Sequence, residues 1–212
     1  MAILTEKPNR KSLYAVHPGV LQTQKWVADL PQKTGRSLEQ WIELAQKSGP
    51  GTEKQCREWL QREHGLGTHN AGWMAGRAFG KNGEQDIDPA SYLRAAESCV
   101  EAMFAGKKAG LRPLYDELLQ LALGLGQDVK ACPCKTIVPL YRNHVFAQIK
   151  PATSTRIDMG LALGMRATPR RLIDTGGFAK KDRITHRIEI SKPTDIDEQV
   201  RRWLKIAYER DA

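Results

Sequence analysis

A change of hydrophobic period near residue 128 limits what this chain can fold into more than any other feature. Before it, apolar residues recur at intervals of three and four, in runs bounded by helix start and stop signals. Val20, Trp26, Val27 and Leu30 share loose helical spacing, and Pro31 stands where it would end the run. Ser37 with Gln40, and Thr52 with Gln55, set a hydroxyl and an amide three residues apart, where each satisfies a backbone donor at a helix start. Leu38, Trp41, Ile42 and Ala45 form the stripe behind the first cap; Cys56, Trp59 and Leu60 form the second, with Gly65 as its stop. Further helices are predicted from Thr68 to about Phe79, from Asp88-Pro89 with Tyr92, Ala96, Val100, Met103 and Phe104 inward, and after Gly110 with Leu114, Leu118, Leu121, Ala122 and Leu125 inward. Residues 13 to 127 therefore read as entirely helical.

The segments TIVPLYR, HVFAQIK, RIDMGLAL and THRIEIS are short, rich in β-branched residues and separated by turn letters, which predicts four antiparallel strands. A closing helix opens over Thr194 to Asp197 and packs Ile196, Val200, Trp203, Leu204 and Ala207. The fold class is α+β: an N-terminal all-helical region, then a small antiparallel sheet of about four strands flanked by helices. Three parts are expected: a mobile tail over residues 1–12, which have no apolar period, a helical domain over 13–87, and an α+β domain over 88–212.

The 212 residues are enough to bury a core, and 41% of them are apolar. No apolar run is long enough to span a bilayer, and the N-terminus lacks the apolar stretch of a signal peptide, so a cytoplasmic protein without a membrane partner is expected. In that compartment the four cysteines are thiols rather than a disulfide framework. Cys132-Pro-Cys134 lacks the spacing of a thioredoxin-type pair, and no second cysteine pair completes a zinc site; His144 and His186 are too far away in sequence to argue for one. No metal or other cofactor is expected. A nucleophile elbow, an HExxH helix and a spaced carboxylate pair are all missing, which predicts a non-enzymatic protein.

Charge is distributed unevenly. The net charge is +9, and the segment from Lys130 to Arg187 accounts for all of it, with twelve Lys and Arg against Asp158, Asp174 and Asp182. The other 21 bases and 21 acids cancel. Such a concentration, interrupted by apolar runs, points to a folded surface that meets an anion. Strict alternation along HVFAQIK turns Val145, Ala147 and Ile149 to one side and His144, Phe146, Gln148 and Lys150 to the other. With Ile157, Met159 and Leu161 inward on the next strand, Arg156 and Asp158 join the outward face. An aromatic ring among cations is what stacking on bases and holding phosphates requires; a solvated face would carry the same letters. Lys180, Lys181 and Arg183 follow Gly176-Gly177-Phe178, where glycines allow backbone amides to approach a phosphate. In the helical half, Gly65, Leu66, Gly67 and Ala71 resemble a helix-hairpin-helix turn that offers amides to phosphate, although a plain helix stop and a cap at Thr68 explain the same residues.

The wording of TGRSLEQWIELAQKSGP, REWLQREHGLGTHNA, PLYDELLQLALGLGQDVKACPCKTIVPLYRNHVFAQIKP and the closing THRIEI and WLKIAYE resembles an uncharacterised bacterial family. That family joins an N-terminal helical domain of unknown function (4287-like) to a C-terminal one (5655-like). The resemblance implies a two-part architecture and brings no catalytic residues. The expected function is binding of nucleic acid or another phosphate-rich polyanion. Lys135, Arg142, Lys150, Arg156, Lys180 and Lys181 would meet phosphate, Phe146 or Tyr141 would stack, and Gly65 and Gly67 would offer amides. Two alternatives remain: a carrier or sensor of a small anionic metabolite, and a protein-interaction module docking through Trp26, Trp41, Trp59 and Trp73.

Overall fold

The computed structural model describes residues 12–165 and 167–212; the tail expected over residues 1–12 lies almost wholly outside them, as does Arg166. Contacts divide the chain into a helical unit, Val16–Arg94, and a second unit of residues up to Ala15 together with Ala95–Ala212. The sequence reading puts the boundary between residues 87 and 88; the contact division falls inside the helix over Pro89–Met103. Residues 13–15 join the second unit because the Ala15 N–H donates to Ala131 O (2.9 Å) and the Tyr14 hydroxyl meets that of Tyr115 (3.1 Å).

The helical unit holds α1 (Pro18–Thr34), α2 (Leu38–Ser48), α3 (Glu53–His64) and α4 (Thr68–Ala78). Its caps follow the sequence. Ser37 and Gln40 form a reciprocal capping box, Thr52 accepts from Gln55 N, and Gly65 ends α3 at φ +66°. Helix α1 continues past Pro31 to Thr34, beyond the expected stop. Proline lacks an N–H, but its carbonyl still accepts from Gly35 N (2.9 Å), which sustains one further turn. Leu30, Leu38, Trp41, Ala45, Cys56, Leu60, Leu66, Ala71, Met74 and Ala75 form the core. Trp41 is fully buried, with its indole N–H donating to Thr34 Oγ1 (2.9 Å), while Trp26, Trp59 and Trp73 pack against the core half-buried.

Helix α5 (Pro89–Met103) leads through a 3-10 turn to α6 (Arg112–Leu123), and then the chain forms six strands. These are β1 (Lys130–Ala131), β2 (Val138–Tyr141), β3 (Val145–Pro151), β4 (Ile157–Leu161), β5 (Ile173–Asp174) and β6 (His186–Ile190), with a four-residue helix α7 (Gly177–Lys180) before β6 and α8 (Glu198–Glu209) at the end. The sheet is antiparallel in the order β1-β2-β3-β4-β6-β5. The four expected strands form its centre. The two extra strands have two residues each, too short for any alternation to show in the sequence.

One face of the sheet is dry. Val138, Leu140, Ala147, Ile149, Ile157, Met159, Leu161, Ile188 and Ile190 pack with Leu118, Leu119 and Ala122 of α6 and Val200, Leu204 and Ala207 of α8. Asp197 caps α8 by accepting from Gln199 N and Val200 N.

Phe146 departs from the alternation read in the sequence. Leu140 lies opposite Ala147 and Tyr141 opposite Val145, so Phe146 is the extra residue of a β-bulge. The bulge turns two successive side chains, Phe146 and Ala147, into the core, where Phe146 is fully buried with its ring 5.7 Å from Tyr208 in a T-shaped contact. Phe146 is therefore a core residue and not a stacking platform. Phe146→Ala is expected to destabilise the protein by about 3–5 kcal/mol in urea unfolding, as for a buried aromatic; a change below about 0.5 kcal/mol, typical of a surface site, contradicts the placement.

Candidate polyanion-binding surface

The face opposite the core is built by pairing register. Lys150 lies across from Asp158, and Asp158 from Glu189; one step along, Gln148, Gly160 and Arg187 align. These side chains range from half-buried to exposed, apart from the buried Gly160. A Cβ on Gly160 would lie 2.7 Å from Gln148 Cγ and 2.8 Å from Ile184 Cγ2, so glycine is required there.

The centre of this face is electrically balanced. Arg156 Nη1 sits 2.9 Å from Glu189 Oε1, and Arg187 Nη1 lies 2.6 Å from Glu189 Oε1 and 3.2 Å from Asp158 Oδ1. Arg156 Nε also lies 2.9 Å from Asp158 Oδ1, outside hydrogen-bonding alignment. Two guanidinium groups and two carboxylates thus neutralise one another, and the Asp158 beside Arg156 acts as an ion-pair partner.

Three further arginines of the basic segment, Arg142, Arg171 and Arg183, are also engaged. Arg142 donates to Asp128 Oδ2 (2.7 Å) and Tyr208 O (3.3 Å), with its guanidinium 4.3 Å from the Tyr208 ring centre. Bonds from Arg142 and Tyr208 hold the Asp128 carboxyl below its usual range. Arg171 pairs with Asp197 and donates to Asp195 O (2.8 Å). Arg183 meets the buried carboxylate of Asp211 (2.7 Å), which also accepts from the His144 backbone N–H (2.7 Å).

The lysines differ. Lys130, Lys135, Lys150, Lys180 and Lys181, together with Arg170, are exposed and have no ion pair among the described residues. They do not form one cluster. Lys135 and Lys150 lie at the end of the sheet that carries the loop before β2 and the β3–β4 turn. Lys130, paired across from Tyr141, and Lys180 and Lys181 after α7 lie at the opposite end. Strand β3 has seven residues, which separates the two ends by about 20 Å. Arg142 and Arg156 join opposite ends, both bound to acids. The sequence-predicted cations are therefore neither all together nor all available.

Among the other expected site residues, Tyr141 is half-buried, and burial raises its hydroxyl pKa. Gly65 and Gly67 belong to the helical unit. The Gly65 N–H already donates to Gln61 O (3.1 Å), closing α3, and Gly67 caps α4 without a side-chain bond. Both glycines act as helix ends. The helical unit also has an open groove of about 550 Å³, lined by residues including Arg36, Gln40, Glu43 and Lys47, with Glu43 and Lys47 paired to each other. His186 is buried between Thr185 Oγ1 (3.0 Å) and Ala167 O (3.1 Å), which engages both ring nitrogens.

A family model described as a domain of unknown function, DUF5655, matches residues 100–211, just over half of the chain. The chain belongs to the DUF5655 family. The match covers α6, the whole sheet and α8, and a second domain of unknown function, DUF4287, matches residues 22–74 within the helical unit. A DUF4287 part thus precedes the DUF5655 part, the order that the sequence resemblance implies. No curated protein and no solved structure matches the chain. No helix among the described residues is long and apolar enough to cross a membrane.

In the DUF5655 unit, burial pushes the Cys132 thiol pKa up to about 12, with the neighbouring Cys134 adding to the effect. The reactive thiolate is therefore scarce at neutral pH. Iodoacetamide at about pH 8 is expected to leave Cys132 unmodified in the native protein and to label it once guanidinium unfolds the chain. Rapid native labelling, read by peptide mass, contradicts this.

Proposed function

We propose that the protein binds an extended polyanion, nucleic acid in the first instance, through exposed lysines at the two ends of the DUF5655 sheet. A single observation carries the reading: Lys135 and Lys150 at one end, and Lys130, Lys180 and Lys181 at the other, are exposed and unpaired among the described residues. Arg142, Arg156, Arg171, Arg183 and Arg187 are bound to acids, whereas Arg170 is exposed like the lysines. An unpaired ammonium group is a point charge that can neutralise a phosphate, and the release to solvent of counterions condensed along the phosphate chain then favours binding.

Geometry distinguishes between ligand classes. A small phosphorylated metabolite bridges only a few ångströms and meets one end of the sheet, whereas a phosphate chain spans the roughly 20 Å between them. The groove in the helical unit is of small-molecule size, but Glu43 and Lys47 in it pair with each other, which leaves Arg36 as its cation outside an ion pair among the described residues. The tryptophans that would serve a docking module are core or packed against it. No catalytic role is assigned to the lysines.

The test is a salt titration of oligonucleotide binding by fluorescence anisotropy. Log affinity should fall linearly with log salt, and replacing Lys135, Lys150, Lys180 or Lys181 by Gln should reduce the slope by about one each. Arg142→Gln should change melting temperature more than slope, because its partner is Asp128. Binding that is absent at low salt, or indifferent to salt, would sink the proposal.

A further inference from the structure

The buried carboxylate of Asp211, just past α8, gathers groups from two distant parts of the chain. Its Oδ1 lies 3.1 Å from His144 Nδ1 and 2.7 Å from Arg183 Nη2, and its Oδ2 accepts from the His144 backbone N–H (2.7 Å). The Asp211 side chain is 3% exposed, whereas those of His144 and Arg183 are 65% and 49% exposed. Resting on the polyanion reading and adding a reaction to it, we propose that these three residues form a site that cleaves RNA, with His144 as general base, Arg183 as phosphate contact and Asp211 as the residue that positions both.

The carboxylate decides which atoms face solvent. It can only accept, so the Nδ1 of a neutral His144 carries the hydrogen and Nε2 presents its lone pair. Nε2 has no hydrogen-bond partner among the described residues. Arg183 is engaged through Nη2 and through Nε, which donates to Val145 O (3.3 Å); its Nη1 has no partner among the described residues. Because the bonds from His144 Nδ1 and Arg183 Nη2 end on one oxygen, imidazole and guanidinium stand side by side. Asn143 Nδ2 donates to Asp211 O (2.8 Å) and Asp211 N to Tyr208 O (3.2 Å), which fixes the frame. Anchoring the chain after α8 to this turn needs only the backbone N–H of residue 144, with Asn143 and Arg183. The oriented, exposed imidazole is additional to that anchor.

A lone pair on Nε2 takes up a proton, so the substrate must bring a nucleophile that has one to give. Of the nucleic acids, RNA carries it beside every phosphate as the 2′-hydroxyl. Nε2 takes the 2′-hydroxyl proton, the 2′ oxygen bonds to the adjacent phosphorus, and the bond from phosphorus to the 5′ oxygen breaks. The leaving 5′ oxygen takes a proton from water, and the imidazolium returns its own to the hydroxide so formed. Arg183 Nη1 meets the phosphate oxygens as charge gathers on them, and Asp211 stabilises the imidazolium. Lys130 pairs across from Tyr141, and Tyr141 from Val145, so His144 stands at the sheet end that carries Lys130. His144 and Arg183 lie 67 and 28 residues from Asp211, so no local motif in the sequence marks the site.

Incubation of the full chain with an end-labelled single-stranded RNA tests the proposal. Cleavage should leave 2′,3′-cyclic phosphate and 5′-hydroxyl ends, and a linkage whose 2′-hydroxyl is replaced by hydrogen should stay intact. His144→Gln, an exposed change that keeps the backbone N–H, should slow cleavage about a hundredfold or more while leaving RNA affinity within about threefold. Asp211→Asn should lower kcat about tenfold or more with KM within about twofold, because the imidazole loses its orientation. Cleavage that survives His144→Gln, or that leaves 5′-phosphate ends, overturns the proposal. RNA that is bound with the expected salt dependence but not cut also overturns it, and the polyanion reading stands. If RNA is not bound at low salt, the polyanion reading falls and the proposal with it.

Discussion

The DUF5655 unit depends on keeping one face of a small antiparallel sheet dry. Its inner residues are covered by α6 and α8, and the bulge at Phe146 adds a second large side chain to that face where strict alternation would have left it in water. Burying an aromatic of this size contributes several kcal/mol. The outer face then receives the polar residues in fixed rows, and strand length sets how far apart its two ends lie. The separation of the lysine groups therefore follows directly from the one-sided core.

Charge allocation is the second consequence. The basic segment contains far more cations than acids, so folding leaves some cations unpaired. Five of the segment's six described arginines take the acids, and Arg170 stays exposed. Arg187 meets Asp158 and Glu189 through its Nη1, and the guanidinium of Arg142 lies over the Tyr208 ring. Lysine, a hydrated point charge on a flexible stem, remains in solvent. The same net charge thus separates into a structural set and an available set, and only the available set bears on a ligand.

Much of this was legible in the sequence wherever the signal is local. The capping pairs at Ser37 and Thr52, the glycine stop at Gly65, the inward rows of β4 and α8 and the switch from helical to strand period all depend on neighbours a few residues apart. What was hidden depends on distant partners. The Phe146 bulge is fixed by the register of β2 against β3, and no letter within HVFAQIK encodes it. The pairing of Arg142 with Asp128 and of Arg183 with Asp211 spans 14 and 28 residues, so a count of bases overstated the free charge. Strands β1 and β5 are too short to show a period.

The central claim is that both ends of the sheet act on one ligand, and a length series of phosphate chains tests it most directly. In competition against a labelled oligonucleotide, polyphosphate long enough to span about 20 Å should displace the probe at a per-phosphate concentration about tenfold or more below that of pyrophosphate, because the second end binds at high effective concentration once the first is engaged. Pyrophosphate competing as well as the long chain, phosphate for phosphate, would contradict joint binding and assign the affinity to one end alone.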